Sequence, residues 1–137
     1  MTHPEALRPF SLAVVGAPYG NKDGSNRQFE ILLCKPGEEV ELRPEPRNKH
    51  DRNAIAVHSC RGIQIGYVTA ERAPLLGSLL ARTEVRAVFQ RKATFGAWIR
   101  VAFNGEVPEL TDSMLVEHDE ATDPEPDFYP DEEWPDD

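Results

Sequence analysis

The stretch spanning residues 42–68, LRPEPRNKHDRNAIAVHSCRGIQIGYV, limits the fold of this chain more than any other. Just before and into it, Val40 and Leu42 alternate with Glu39, Glu41 and Arg43, the period of a half-buried strand, and Pro44 and Pro46 then stop that strand. From Arg47 to Asn53 there is no sizeable apolar side chain, so burial cannot hold this loop in shape. Asn48, Asp51 and Asn53 bond nearby backbone amides and tolerate tight turns, which lets the loop be rigid while it stays wet. A rigid, wet, polar loop suits a ligand site. Residues 53–58 follow as a strand with Ile55 and Val57 on one face and the small Ala54 and Ala56 on the other, where a further group can approach closely. Arg61 and Gly62 turn the chain, and residues 63–68 bring it back.

The remaining segments repeat this pattern of short strands between close-set turn signals. Residues 10–16 form an apolar strand, followed by a turn-rich loop at 19–26. Residues 28–33 read as one or two helical turns capped by Ser25 or Asn26, with a strand as the competing assignment. Leu75, Leu76, Leu79 and Leu80 lie one helical turn apart and predict a helix with a single apolar stripe, starting near Glu71 or Arg72 so that Pro74 falls in its first turn. Strands are predicted at 84–91 and 97–103, joined by a loop that holds Phe95 and Gly96. Six short strands with one or two small helices make an all-β chain that folds as a closed or nearly closed small barrel, since closure removes exposed strand edges.

Charge separates the body from the end of the chain. Of the 24 acidic residues, 11 lie from Glu117 onward, where there is no Lys or Arg; the remaining 13 face all 15 basic residues, so a formal charge of −9 resolves into a body of +2 and an acidic end. The end also carries four prolines and no apolar period, and is expected to be disordered. The chain thus divides into an N-terminal extension at 1–9, a barrel domain at 10–115 and an acidic tail at 116–137. In the tail Phe128, Tyr129 and Trp134 are interleaved with carboxylates, a peptide imitation of bases on a phosphate chain. The apolar runs are far too short to span a bilayer and the N-terminus lacks a signal peptide's apolar core, so a cytoplasmic protein is expected, with Cys34 and Cys60 as free thiols.

The string E-P-x-N-x-H-D-x-N-A-I-A-V at residues 45–57, followed by I-G-Y-V at 65–68 and a small Leu-rich helix, resembles the HIRAN domain, over roughly residues 8 to 105. The resemblance implies an OB-like β-barrel that captures single-stranded DNA ends carrying a free 3′-hydroxyl. Members occur fused to Swi/Snf-type helicase-like ATPases of replication-fork repair and as small stand-alone bacterial proteins. It also implies that His50 occupies the place of an aromatic that stacks on the terminal nucleotide, that Asp51 accepts the 3′-hydroxyl, and that Arg27 lies near an arginine that contacts the DNA backbone. The chain departs from the family in carrying Gln28 where an aromatic follows that arginine.

The residues support such a role in part. Single-strand binders combine cations for phosphates, flat side chains for bases and fixed polar groups where an end is recognised. If Ile99, Val101 and Phe103 face the core, Trp98 and Arg100 share the outer face as a platform for a base and its phosphate, with core packing of Trp98 as the alternative. An ionised Asp51 only accepts hydrogen bonds, so it welcomes a hydroxyl and repels a phosphate; it also suits a turn in which it bonds the Asn53 amide. Lys49 and Arg52, with Arg47, are phosphate neighbours. Tyr67 either lines the pocket or, by its alternation with Ile63 and Ile65, packs as a partly buried ring. No nucleophile elbow, Walker loop or HExxH is present, and His58 and Cys60, with Cys34 or His50, repeat no metal-ligand spacing. No cofactor is assigned. The expected protein is a monomeric, non-catalytic module of DNA repair or replication, with a helicase or nuclease partner supplying catalysis. The alternative is a protein-interaction adaptor or acidic DNA mimic that regulates a nucleic-acid enzyme.

Overall fold

The computed structural model describes residues 7–116; the tail from residue 117 onward, with Phe128, Tyr129 and Trp134, and residues 1–6 of the N-terminal extension lie outside the described residues. Six antiparallel strands close into a barrel in the order β1-β4-β3-β2-β5-β6. They are β1 (Phe10–Val15), β2 (Glu39–Pro44), β3 (Ile55–His58), β4 (Gln64–Val68), β5 (Arg86–Ala93) and β6 (Gly96–Ala102), with helices α1 (Arg27–Leu33), α2 (Ala73–Arg82) and α3 (Asp112–Leu115). Closure is made by β1, which pairs with β6 through Leu12↔Ile99 and Ala13↔Trp98 and with β4 through Val14↔Val68 and Val15↔Tyr67. This is the barrel that the strand count predicts. Alternate side chains point inward, and Leu12, Val14, Ile55, Val57, Ile65, Phe89, Ile99 and Val101 form one apolar cluster. Each such side chain taken out of water contributes roughly 1.5–3 kcal/mol.

Two glycines make the closure possible. Gly66 on β4 and Gly96 at the start of β6 have φ of +154° and +149°, and a Cβ at either would collide with a β1 carbonyl, that of Val15 or of Val14. Gly66 also breaks the side-chain alternation that groups Tyr67 with Ile63 and Ile65. Ile65 and Val68 both enter the main core, whereas Tyr67 turns outward onto Ala54 and Ala56.

The longest helix departs from its predicted face. The α2 helix buries Ala73, Leu76 and Leu79, but Leu75 is 47% exposed, so the stripe is narrower than four leucines. Pro74 does lie in its first turn, after Arg72 as N-cap. The α1 helix is capped by Asn26, whose side chain accepts from the Phe29 amide at 2.8 Å. It inverts the usual pattern: Arg27, Glu30 and Ile31 are buried while Phe29 and Leu32 are exposed. Its inward charges are paired, Glu30 accepting from Arg61 Nε at 2.6 Å. The α3 turn, unmarked by any apolar period in the sequence, is tied to β5 where Gln90 Nε2 donates to the Met114 carbonyl at 3.0 Å.

Candidate functional site

The polar loop between β2 and β3 is held together by its own hydrogen bonds. Asn48 organises it: its Oδ1 accepts from the amides of His50 (2.8 Å) and Asp51 (3.0 Å), and its Nδ2 donates to Glu45 Oε1 at 3.1 Å. Asp51 Oδ1 accepts the Asn53 amide at 2.8 Å, the turn role expected for it. Backbone bonds close both ends, from the Glu45 amide to the Ala54 carbonyl and from the Ala54 amide to the Asp51 carbonyl. The second oxygen of Asp51 takes no hydrogen bond among the described residues.

Beside this loop runs a groove of about 690 Å³, bounded by the loop, by residues 20–23 and by the outer face of β4. Tyr67 forms its floor. The ring lies on Ala54 and Ala56, the phenol donates to Glu45 Oε1 at 2.9 Å, and the guanidinium of Arg27 sits 5.5 Å from the ring centre. Burial first, and the Glu45 carboxylate second, push the phenol up to about 12, so it stays protonated and donates. Arg27 is itself buried: its Nε donates to Asn21 Oδ1 at 2.7 Å and one terminal nitrogen to the Gly16 carbonyl at 2.9 Å. Asn21 in turn donates to the Gln64 carbonyl at 2.9 Å, which pins the 16–26 loop to β4.

Lys22, Arg43, Arg47 and Lys49 give the groove a cationic rim, and His58 is on its wall. Burial, followed by the charge of Arg43, lowers the His58 imidazole below its ordinary value, and its Nδ1 has no hydrogen-bond partner among the described residues. A shallower hollow lined by residues 46–52 adjoins the groove and shares Pro46, Arg47, Asn48 and Lys49 with it; His50, Asp51 and Arg52 line only this second hollow.

The sequence-predicted residues therefore fall into three places. Lys49, His50, Asp51 and Arg52 come together on the loop, and Tyr67 and Arg27 meet in the adjoining groove, where Arg27 is enclosed. Phe95, Trp98 and Arg100 line neither recess. They stand on the outer face of the β5–β6 hairpin, Phe95 edge-on to Trp98 at 5.4 Å between ring centres, and Arg100 donating to Ser11 Oγ at 3.0 Å. The Trp98 ring faces away from the core formed by Ile99, Val101 and Phe103, but its indole nitrogen is shielded from solvent and without a partner among the described residues. Glu45, Asn21 and Arg43 were missed as site residues. Glu45 stands in the quoted motif, yet nothing in its neighbours signals that its partner is Tyr67, 22 residues away. Among the described residues no three His, Cys, Asp or Glu side chains cluster as metal ligands. Both free thiols instead lie against Arg61.

A small closed barrel with a hydrogen-bonded polar recess on its outer wall is the class of protein that this geometry defines. Residues 10–104 match the family model described as HIRAN domain, and the chain belongs to that family. Similar solved structures are the crystal structure of the HIRAN domain of human HLTF (22% identity, 70% of this chain and 74% of that one, TM-score 0.54) and a protein from Lactobacillus plantarum (17%, 69% and 95%, 0.54). A third is the NMR structure of the HLTF HIRAN domain in its DNA-bound conformation (24%, 70% and 74%, 0.50). A search of curated proteins finds no match.

Proposed function

We propose that this protein is a non-catalytic module that binds single-stranded DNA and takes a free 3′-hydroxyl end at the loop of residues 45–54. Family membership and the DNA-bound state of the HLTF HIRAN domain support the broader part of this reading. The finer part rests on one observation: Asp51 is held through its backbone amide by Asn48 Oδ1 and through its own Oδ1 by the Asn53 amide, so that one carboxylate oxygen stays unspent in a hollow that Lys49 and Arg52 also line and that adjoins the groove. A carboxylate accepts and cannot donate, so it takes a hydroxyl hydrogen and repels a terminal phosphate, while the flanking cations take the internal phosphates. Under this reading His50 lies against the terminal nucleotide and the Phe95–Trp98 pair on the hairpin serves the strand further along. The module acts in the cytoplasm as a monomer, in repair or replication, with a helicase or nuclease partner supplying the chemistry.

The test compares oligonucleotides of one sequence ending in a 3′-hydroxyl or a 3′-phosphate by fluorescence anisotropy. The hydroxyl end should bind about tenfold tighter, on the order of one charge-assisted hydrogen bond. Asp51→Asn should bring the two ends close together. Equal affinities in the unaltered protein would overturn the assignment of Asp51.

A further inference from the structure

Glu45 is a charged side chain at the bottom of a groove whose rim is cationic, and the proposed binding of a strand end gives it no part. Its backbone is fixed at both sides, the amide donating to the Ala54 carbonyl at 2.8 Å and the carbonyl accepting from the Asn48 amide at 2.9 Å. Its carboxylate is fixed as well, and asymmetrically: the Tyr67 phenol and Asn48 Nδ2 both donate to Oε1, at 2.9 and 3.1 Å. The Oε2 atom receives no hydrogen bond among the described residues, although the side chain lines the groove. A carboxylate oriented by two donors on one oxygen presents the other as a preset acceptor, with little freedom to turn away.

We infer that Glu45 gives the groove a base preference: its Oε2 accepts a hydrogen from the exocyclic amine of a nucleobase, so that cytosine is favoured over thymine in a bound single strand. This rests on the DNA-binding reading above and extends it from the sugar end of the ligand to a base edge. The chemistry discriminates because the two pyrimidines differ at one position. Cytosine carries an amine at C4, whose hydrogens a carboxylate can accept, whereas thymine carries a carbonyl there, which sets oxygen against oxygen. Tyr67 contributes by remaining protonated, which keeps Oε1 occupied and leaves Oε2 as the acceptor.

The experiment measures binding of the full chain to oligo-dC and oligo-dT of equal length at low salt, both with free 3′-hydroxyls. Oligo-dC should bind about tenfold more tightly, within the range of one base-edge contact. Replacing the cytosine amine by its N4,N4-dimethyl form removes the donor hydrogens without touching the protein, and should abolish the advantage. In Glu45→Gln the amide oxygen can still accept from Tyr67 and Asn48, which turns the amide nitrogen to the groove as a donor; the preference should vanish or pass to oligo-dT. Equal affinity for oligo-dC and oligo-dT, or an advantage that survives N4 dimethylation or Glu45→Gln, would overturn the inference while leaving DNA binding intact. Failure of both oligonucleotides to bind would overturn the DNA-binding reading and this inference with it.

Discussion

Asn48 illustrates how much one side chain decides at this site. A single amide group spends its oxygen on two backbone amides and its nitrogen on Glu45, and so couples the loop that presents Asp51 to the carboxylate at the bottom of the groove. His58, which lines the same groove, has the reverse situation. It is half-buried, its Nδ1 is unpartnered among the described residues, and it faces both cations, Arg43 and Arg27, and carboxylates, Glu41, Glu45 and Asp23. Burial is the largest influence and Arg43 the next, so the charged imidazolium is disfavoured in the folded protein. The sign follows: a depressed folded value means that the unfolded chain binds the proton more readily. The contribution of His58 to stability is then fully present above about pH 6.5 and is lost as pH falls toward the lowered folded value. Melting temperatures of the unaltered protein and of His58→Gln, measured at about pH 7.5 and about pH 5.5, should show a smaller acid-induced drop in the variant. Parallel drops would show that His58 titrates alike in the folded and unfolded chain.

At the scale of elements, the closure of the barrel turns on the points where β1 meets its two neighbours. Gly66→Ala places a methyl against the Val15 carbonyl and the Val14 side chain, and the backbone, at a φ that side chains rarely adopt, has no room to yield. The cost should be about 3 kcal/mol, seen as a fall in melting temperature on the order of 10 °C or more. Gly20→Ala, where a Cβ meets nothing, should leave it nearly unchanged. The same glycine explains why the sequence was only partly readable. Period-two patterns reported the strands and the inward set of β6 correctly, because strand pleating is local and needs no knowledge of partners. The Asn48–Asp51–Asn53 turn was legible for the same reason, each bond spanning two or three residues. The outward turn of Tyr67 was not, since it depends on a kink enforced by a strand that lies about 50 positions earlier in the chain. Nor was the enclosure of Arg27 and Glu30 by α1: their partners include Gly16 and Arg61, brought near only by the closed barrel. The α3 turn spans four residues, too few to set up a period.

For the whole molecule, the opposition of charge between body and tail governs how strongly any polyanion is held. The body of +2 offers a small cationic rim of Lys22, Arg43, Arg47 and Lys49 around the groove, not an extended basic face. About three neutralised phosphates on a single strand correspond to a log–log salt slope near −2. The 11 carboxylates from Glu117 onward are joined to this body by the chain itself, so their local concentration is on the order of millimolar whatever the bulk dilution. Deleting residues 117–137 should therefore raise single-strand affinity at low ionic strength. Screening sets how the gain fades: the Debye length falls from about 10 Å at 0.1 M salt to about 3 Å at 1 M, so a purely long-range effect disappears across that interval. If the tail instead competes for the site as an imitation of bases and phosphates, its rings matter as much as its charges. Phe128, Tyr129 and Trp134 changed together to Ser, with every carboxylate retained, should then recover much of the gain made by deletion. Anisotropy titrations of the deletion and of the triple variant, side by side at both salt concentrations, decide the matter: a triple variant that binds no better than the unaltered protein leaves charge alone as the tail's means of action.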